Sequence, residues 1–367
     1  MTDVCNFQYG YAFDSRKFSN EGKVPLVRIR DVVRGYSETY TDEDFDDNYL
    51  VHDGDMLIGM DGEFNIAYWH GGDAALNQRV CKLVPSDKVD SAYIFYRMVS
   101  VLKQIESKTP FVTVKHLSAK ELNAVYIDLP NISEQEMQGK KLRYIDGLIA
   151  KNDSKLKIMD ILVKSRFIEM FEHVDIPIVK AESIINEMRN GLSPSSKGTF
   201  SEKVLTLSAI TQGSFDITAY KDGVFDVCPP DDKRVNAQDF YICRGNGNIS
   251  LVGIGAYADR DYYDFIFPDT VIAAQVDLSR VTLPYLSVAW QQPSVRRQIE
   301  KGARTTNGTY KINQQIISNI ELRLPSIEKQ EKFADFVALT DKSKLAVQQS
   351  IETLQTLKAN LMQEYFG

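Results

Sequence analysis

The sequence predicts an α/β protein in which two α/β domains are separated by two long helices, which pair as an antiparallel coiled coil and give the chain a pseudo-two-fold. Three observations predict this. A segment from the middle of the chain recurs at its end, both copies carry heptad spacing on otherwise polar sequence, and each copy follows short strand-like runs closed by a helical period.

The repeat organises everything else. IDLPNISEQEMQGKKLRYID, beginning at Ile127, is similar to LRLPSIEKQEKFADFVALTD, beginning at Leu322, and Pro130 and Pro325 lie 195 positions apart. The same offset pairs Ile132 with Ile327, Gln135 with Gln330, Asp146 with Asp341 and Phe171 with Phe366, so the register holds without a gap for roughly 40 residues. Each copy opens on Leu-Pro, and proline is tolerated at or before a helix start but not inside one.

Leu142, Ile145, Ile149, Leu156, Met159 and Val163 follow three, four or seven apart in the first copy, and Val337, Val347, Ile351, Leu354 and Leu361 three, four, seven or ten apart in the second. That is the spacing of a coiled-coil seam. Asn152, Thr340 and Lys344 interrupt it, either as part of an ordinary two-helix core or as polar contacts that fix register. Helices of about 35 to 40 residues are roughly 55 to 60 Å long at 1.5 Å per residue, enough to hold two domains well apart.

The remaining sequence divides accordingly: a first domain over 1–129, a first helix over 130–172, a second domain over 173–324 and a second helix over 325–367. In the first domain VPLVRIRDV (Val24 to Val32), YLVHDGDMLIGMDG (Tyr49 to Gly62) and RVCKLV (Arg79 to Val84) read as short strands, and AYIFYRMVSVLKQIES (Ala92 to Ser107) has a helical period. The second repeats the plan more loosely in KVLTLSAI (Lys203 to Ile210), AQDFYICRGNGNISLVGIG (Ala237 to Gly255), FPDTVIAAQVDL (Phe267 to Leu278) and YLSVAWQQPSVRRQIEKG (Tyr285 to Gly302).

Composition bounds the function. With 43% hydrophobic and 25% charged residues over 367 positions, the chain is an ordinary globular protein of about two domains. It has no run of about 18 apolar residues and no secretory leader, so no membrane partner and a cytoplasmic location are expected. Cys5, Cys81, Cys228 and Cys243 form no CxxC pair and no zinc spacing; they read as reduced, mostly buried thiols. The net charge of -7 argues against a polyanion partner unless the acids are segregated, and five of them fall between Thr41 and Asp47 in TDEDFDD.

The phrases GYAFDSRKF (Gly10 to Phe18), PLVRIRDVVRG (Pro25 to Gly35), GDMLIGMDG (Gly54 to Gly62), ALNQRVCKL (Ala75 to Leu83) and the LP-xI-xxQ start of each helix carry a resemblance. So do RNGLSPSSKG (Arg189 to Gly198) and VLTLSAIT (Val204 to Thr211). In this order, twice over, the chain resembles the specificity subunit of type I restriction-modification systems. The resemblance implies two target-recognition domains, each reading half of a bipartite, asymmetric site in double-stranded DNA. It implies helices that act as a ruler and as the docking surface for two methyltransferase subunits, with motor-nuclease subunits as further partners.

S-adenosylmethionine, ATP and Mg are then expected in those partner subunits, and no cofactor in this chain. The chain opens almost directly on the recognition pattern, so any upstream family segment is expected to be absent or very short. A related type II system with a separate specificity subunit, and a coiled-coil scaffold that reads no DNA, are the alternatives.

Catalytic motifs are not expected. There is no GxxxxGK[ST] phosphate loop and no HExxH; Pro229-Pro230 in CPPDD lacks the aromatic context of an amino-methyltransferase and reads as a turn; and Pro268-Asp269 lacks the lysine of a nuclease motif. A non-catalytic subunit with no metal site is the expectation.

DNA contact requires Lys, Arg or small polar groups at phosphates, Arg at guanine, and Asn or Gln at adenine. In the first domain these are Arg28 and Arg30, the run Asn77, Gln78, Arg79, and the pairs Lys108, Thr109 and Lys115, His116. Trp69 in YWHGG is a core residue or a stacking wedge. In the second domain the basic, hydroxyl-rich run KGARTTNGTYKINQQ reads as a DNA-facing loop with Arg304, Thr305, Thr306, Asn307, Tyr310 and Lys311, and RGNGN adds Arg244, Asn246 and Asn248.

Overall fold

A computed structural model describes residues 1–109, 115–172, 174–306 and 308–367. The chain divides into two compact units, one of Met1–Ser154 with Val347–Gly367 and one of Lys155–Ala346, so the division cuts through both long helices rather than falling at their ends.

In the first unit the elements that position the candidate site are β1 (Cys5–Tyr9), β2 (Val24–Val27), α1 (Ile29–Arg34), β3 (Met56–Gly59), β4 (Asn65–Tyr68), β5 (Ala74–Leu76), β6 (Val80–Pro85), α2 (Ser91–Lys108) and α3 (Ala119–Asn123), followed by α4 (Ile132–Phe171). The main sheet is antiparallel in the order β1-β6-β3-β4, and β2 runs parallel to β5 with Leu26 beside Ala75. The run Val24 to Val32, read as one strand, is instead strand then helix. The Asp31 carboxylate accepts the Arg28 backbone N–H at 3.0 Å, which starts α1, and Gly35 at φ 76° ends it.

The second unit repeats the plan with β7 (Ile185–Asn190), β8 (Phe200–Leu205), β9 (Asp239–Cys243), β10 (Gly245–Asn246), β11 (Gly255–Tyr257), β12 (Tyr262–Ile266), β13 (Val271–Val276), α5 (Leu283–Trp290), α6 (Pro293–Gly302), β14 (Arg304–Thr306), β15 (Thr309–Lys311) and α7 (Gln314–Ser318), followed by α8 (Ile327–Phe366). Its main sheet has the order β7-β13-β9-β11, again antiparallel, and β8 runs parallel to β12. The stretch Tyr285 to Gly302 is two helices, because Pro293 has no N–H to continue the first.

The two frames share their tightest contact. Gly10 N–H donates to Val80 O and Gly191 N–H to Val271 O, and a Cβ on either glycine would sit 2.1 Å from a backbone carbonyl oxygen, of Asn77 or of Pro268. Only glycine lets the chain pass there.

The repeated Leu-Pro helices are locked by the same buried side chain. Gln135 Nε2 donates to Pro130 O at 2.8 Å while its Oε1 accepts from Asp90 N at 3.1 Å. Gln330 Nε2 donates to Pro325 O at 2.9 Å and Arg280 O at 3.0 Å, while its Oε1 accepts from Thr282 N at 2.9 Å. Asp90 and Thr282 are the N-caps of α2 and α5. Each glutamine therefore ties the start of a long helix to the N-cap of an earlier helix of its unit, α2 in the first and α5 in the second.

Within each unit the seam is antiparallel. In the first, Lys358 Nζ reaches Asp146 Oδ1 at 2.6 Å and Asn152 Nδ2 donates to Ser350 Oγ at 3.1 Å. In the second, Lys344 Nζ reaches Asp160 Oδ1 at 2.7 Å, and Phe333 packs edge-on against Phe167 and Phe171 with ring centroids 5.5 and 5.7 Å apart. Such aromatic pairs contribute roughly 0.5–1.5 kcal/mol each beyond their buried area. Asn152 and Lys344 thus bond across the seam, whereas Thr340 donates to Phe336 O of its own helix at 2.9 Å.

Candidate nucleic-acid interface

The hydrogen-bond frame places two loop clusters at equivalent positions. In the first unit Met60 N–H donates to Arg79 O and Leu117 N–H to Met60 O; in the second Arg244 N–H donates to Thr270 O and Ile312 N–H to Arg244 O. Met60 therefore corresponds to Arg244, Asp61 to Gly245, and His116 to Lys311. The correspondence is geometric and was not legible from the side chains.

In the first unit Asn77, Gln78 and Arg79 form the turn between β5 and β6 rather than the start of a strand. Tyr11 N–H donates to Leu76 O and Gln78 N–H to Tyr11 O, which pins that turn. The guanidinium of Arg79 lies 3.6 Å from Asp61 Oδ2 and 3.0 Å from His116 Nε2, and His116 Nδ1 pairs with the same carboxylate. Lys115 Nζ is engaged by Glu106, at 3.0 Å from its carbonyl and 3.2 Å from its carboxylate. Thr109 caps α2, its hydroxyl donating to Ile105 O at 2.9 Å, and Lys108 ends that helix in solvent.

Arg28 lies over the Phe18 ring at 5.8 Å, and Arg30 donates to Thr39 Oγ1 at 3.0 Å beside the buried Asp31. Trp69 is fully buried with its Nε1 donating to Gly72 O at 2.7 Å, which makes it a core residue.

The second unit differs. Its basic run is not a loop: Arg304–Thr306 and Thr309–Lys311 pair as a β-hairpin through Gly308 at φ 74°, and the chain then enters α7. The alternation that buries Ile312 and half-buries Tyr310 explains the strands. Arg304 and Lys311 are direct cross-strand neighbours, and like charges in that position repel. Among the described residues no carboxylate lies within ion-pair distance of Arg304, Lys311 or Arg244. Thr305 is exposed on β14; Thr306 lies on its last position, and Asn307 lies outside the described residues.

Asn248 is committed to its own turn, its Oδ1 accepting from Ser250 N and Oγ, and Asn246 Oδ1 accepts from Asn248 N. Arg244 borders a cleft of about 350 Å³ lined by Asn190, Arg244, Asn313, Gln314 and Gln315. The four carboxamides were missed in the sequence as candidate contacts, although Asn313-Gln314-Gln315 puts three carboxamides, the side-chain type that suits adenine, in one run. Asp61, the partner of Arg79, was missed because nothing local links it to a residue 18 positions away. Among the described residues no group of three His, Cys, Asp or Glu side chains is placed to hold a metal ion, and no helix is long and apolar enough to cross a membrane.

Residues 1–158 match the family described as the type I restriction modification DNA specificity domain. The chain is 40% identical over 156 residues to the type I restriction enzyme EcoBI specificity subunit of Escherichia coli, an alignment covering 42% of this chain and 32% of that protein. It is 23% identical over 164 residues to the MjaVIII specificity subunit of Methanocaldococcus jannaschii, covering 41% and 39% respectively. It thus spans about a third of the length of the curated relatives it matches.

A likeness in fold covers the whole chain. The type I restriction-modification S subunit of M. genitalium matches with a TM-score of 0.59 at 15% identity, covering 100% of this chain and 94% of that one. A chain solved in work on complex assembly and conformational transition of the type I R-M system matches with a TM-score of 0.54 at 14% identity, covering 94% and 91%. The expected architecture of two α/β domains with two long helices is therefore the fold of this chain.

Proposed function

We propose that this chain is the DNA sequence-specificity subunit of a type I restriction-modification complex. Each unit reads one half of a bipartite site, and because their loop chemistries differ the site is asymmetric. The observation that carries the reading is the second unit: it rebuilds the frame of the matched specificity domain, with the same glycine passage and glutamine lock, around different surface residues.

In this reading the chain itself performs no chemistry. Adenine methylation belongs to two methyltransferase subunits that bring S-adenosylmethionine, and cleavage to motor-nuclease subunits that bring ATP and Mg, in a cytoplasmic complex. The half-sites lie about one helical turn apart, near 34 Å, on the scale of two domains entering the major groove. The helix pair sets that separation. Lengthening both long helices by one heptad keeps the seam in register and lengthens the unread gap by about three base pairs, at 1.5 Å per helical residue, while leaving both half-sites unchanged.

The deciding experiment co-expresses the chain with its methyltransferase subunit and maps methylated adenines across the host genome by single-molecule sequencing. A split motif with a fixed gap is the expected result. A stably assembled complex that methylates nothing would overturn the reading in favour of a scaffold.

A further inference from the structure

The cleft beside β10 lies within the second unit. Its lining holds one guanidinium and four carboxamides, from Asn190, Asn313, Gln314 and Gln315, and no acid or apolar side chain. A solvated surface cleft in a chain of net charge -7 has no need to exclude carboxylates. Arginine presents paired donors that match the O6 and N7 of guanine, and a carboxamide presents the donor and acceptor that match adenine.

The backbone of the cleft is also pinned by hydrogen bonds. Arg244 has its N–H bonded to Thr270 O at 2.8 Å and its carbonyl accepting from Ile312 N at 2.9 Å, so its backbone is held from both sides. Among the described residues its side chain makes a single hydrogen bond, from Nη1 to Asp269 O at 3.3 Å, which leaves the other donors of the fork for a ligand. Gln314 Nε2 is anchored to Met188 O at 3.0 Å, Asn313 Oδ1 accepts from Ile316 N at 2.9 Å, and Gln315 is exposed. The anchored Gln314 and Asn313 fix the wall of the cleft, and the free fork of Arg244 and the exposed carboxamide of Gln315 are left to meet a base edge. Next to it stands the hairpin whose facing Arg304 and Lys311 repel each other, a cost that a phosphate backbone relieves.

Resting on the specificity-subunit reading, we propose that this cleft is the base-reading site of the second unit, with Arg244 specifying a guanine and Gln315 an adjacent adenine in the same half-site. The equivalent position in the first unit is Met60, with Asp61 in place of Gly245, so the two half-sites are read by different means.

The test uses the full chain assembled with its methyltransferase subunit. Arg244→Lys keeps the charge and removes the fork. Genome-wide mapping should then show one guanine position of one half-site become degenerate, its discrimination falling roughly five- to hundredfold, the range of one bidentate contact. The other half-site and the gap should stay as in the wild type. Gln315→Ala should relax an adenine position in that same half.

An unchanged motif in Arg244→Lys, or weaker methylation at every site with no change of motif, overturns the assignment. A wild-type complex that yields no split motif strikes the specificity reading itself. Should the variant fail to assemble, the wild-type complex decides: replacing each guanine of its motif in turn by 7-deazaguanine should cost affinity at one position, and insensitivity at all of them overturns the proposal.

Discussion

In the first unit Arg79, Lys115 and Arg30 each stand beside a carboxylate, of Asp61, Glu106 and Asp31, whereas in the second Arg244, Arg304 and Lys311 have none within ion-pair distance among the described residues. The frames beneath these clusters are alike, so the difference belongs to the surface. A cation already paired gains less from a phosphate, because part of its field is spent on its neighbour and that pair must be broken or shared. On the proposed reading, one acidic chain would then carry two surfaces of unequal electrostatic strength, with Arg244, Arg304 and Lys311 of the second unit supplying more salt-dependent attraction than the paired Arg79, Lys115 and Arg30 of the first.

The likeness of the frames is the part most costly to break. Gly10→Ala and Gly191→Ala each push a methyl group into a carbonyl oxygen, and each should lower stability by about 3 kcal/mol in urea unfolding. A tolerated alanine at one of them would show that the two passages are not equivalent. Gln330→Ala removes a side chain with three hydrogen bonds and Gln135→Ala one with two, so losses of roughly 2–3 and 1–2 kcal/mol are expected from the same measurement, in that order. A reversed order would mean that the lock is set by packing rather than by its bonds.

The contrast in charge sharpens through salt. Lys311→Ala and Arg304→Ala should each reduce the slope of log affinity against log salt by about 0.9, the value of one phosphate contact. Arg79→Ala should change it less, and Asp61→Asn should raise affinity by releasing Arg79 and His116. Equal slopes for Arg79→Ala and Lys311→Ala would erase the distinction between the units.

The smallest effect concerns the thiols. Burial pushes Cys81 up to about 12 and Cys5 and Cys243 up to about 11, while Cys228 is exposed. At pH 8 the folded chain should therefore give one fast thiol with a disulfide reagent, and four after unfolding, because the thiolate is the reacting species. A second fast thiol would locate local opening in the core that holds it.

Much of this architecture was legible without coordinates. The Leu-Pro starts, the heptad positions from Leu142 to Val163, and the identical placement of Gln135 and Gln330 are periodic or repeated signals, and such signals survive in one dimension. The helix that begins at Ile29 and the hairpin of Arg304 to Lys311 were misread for the opposite reason. Each depends on a single local contact, the Asp31 carboxylate on Arg28 N–H in one and the burial of Ile312 behind a glycine turn in the other. The candidate contacts divided on the same principle: residue type nominated Lys115, Thr109 and Asn248, and the fold engages all three in its own caps and ion pairs.

What the sequence by itself determined is the class of protein: two α/β units, two long helices with an antiparallel seam, and the family likeness that comes with their order. These follow from spacing, which the chain carries whether folded or not. Only the tertiary structure decided which polar side chains remain available to a ligand, because availability is set by neighbours distant in sequence. Asp61 engages Arg79 and His116, and Asp269 takes one donor of Arg244, across intervals that no local pattern spans.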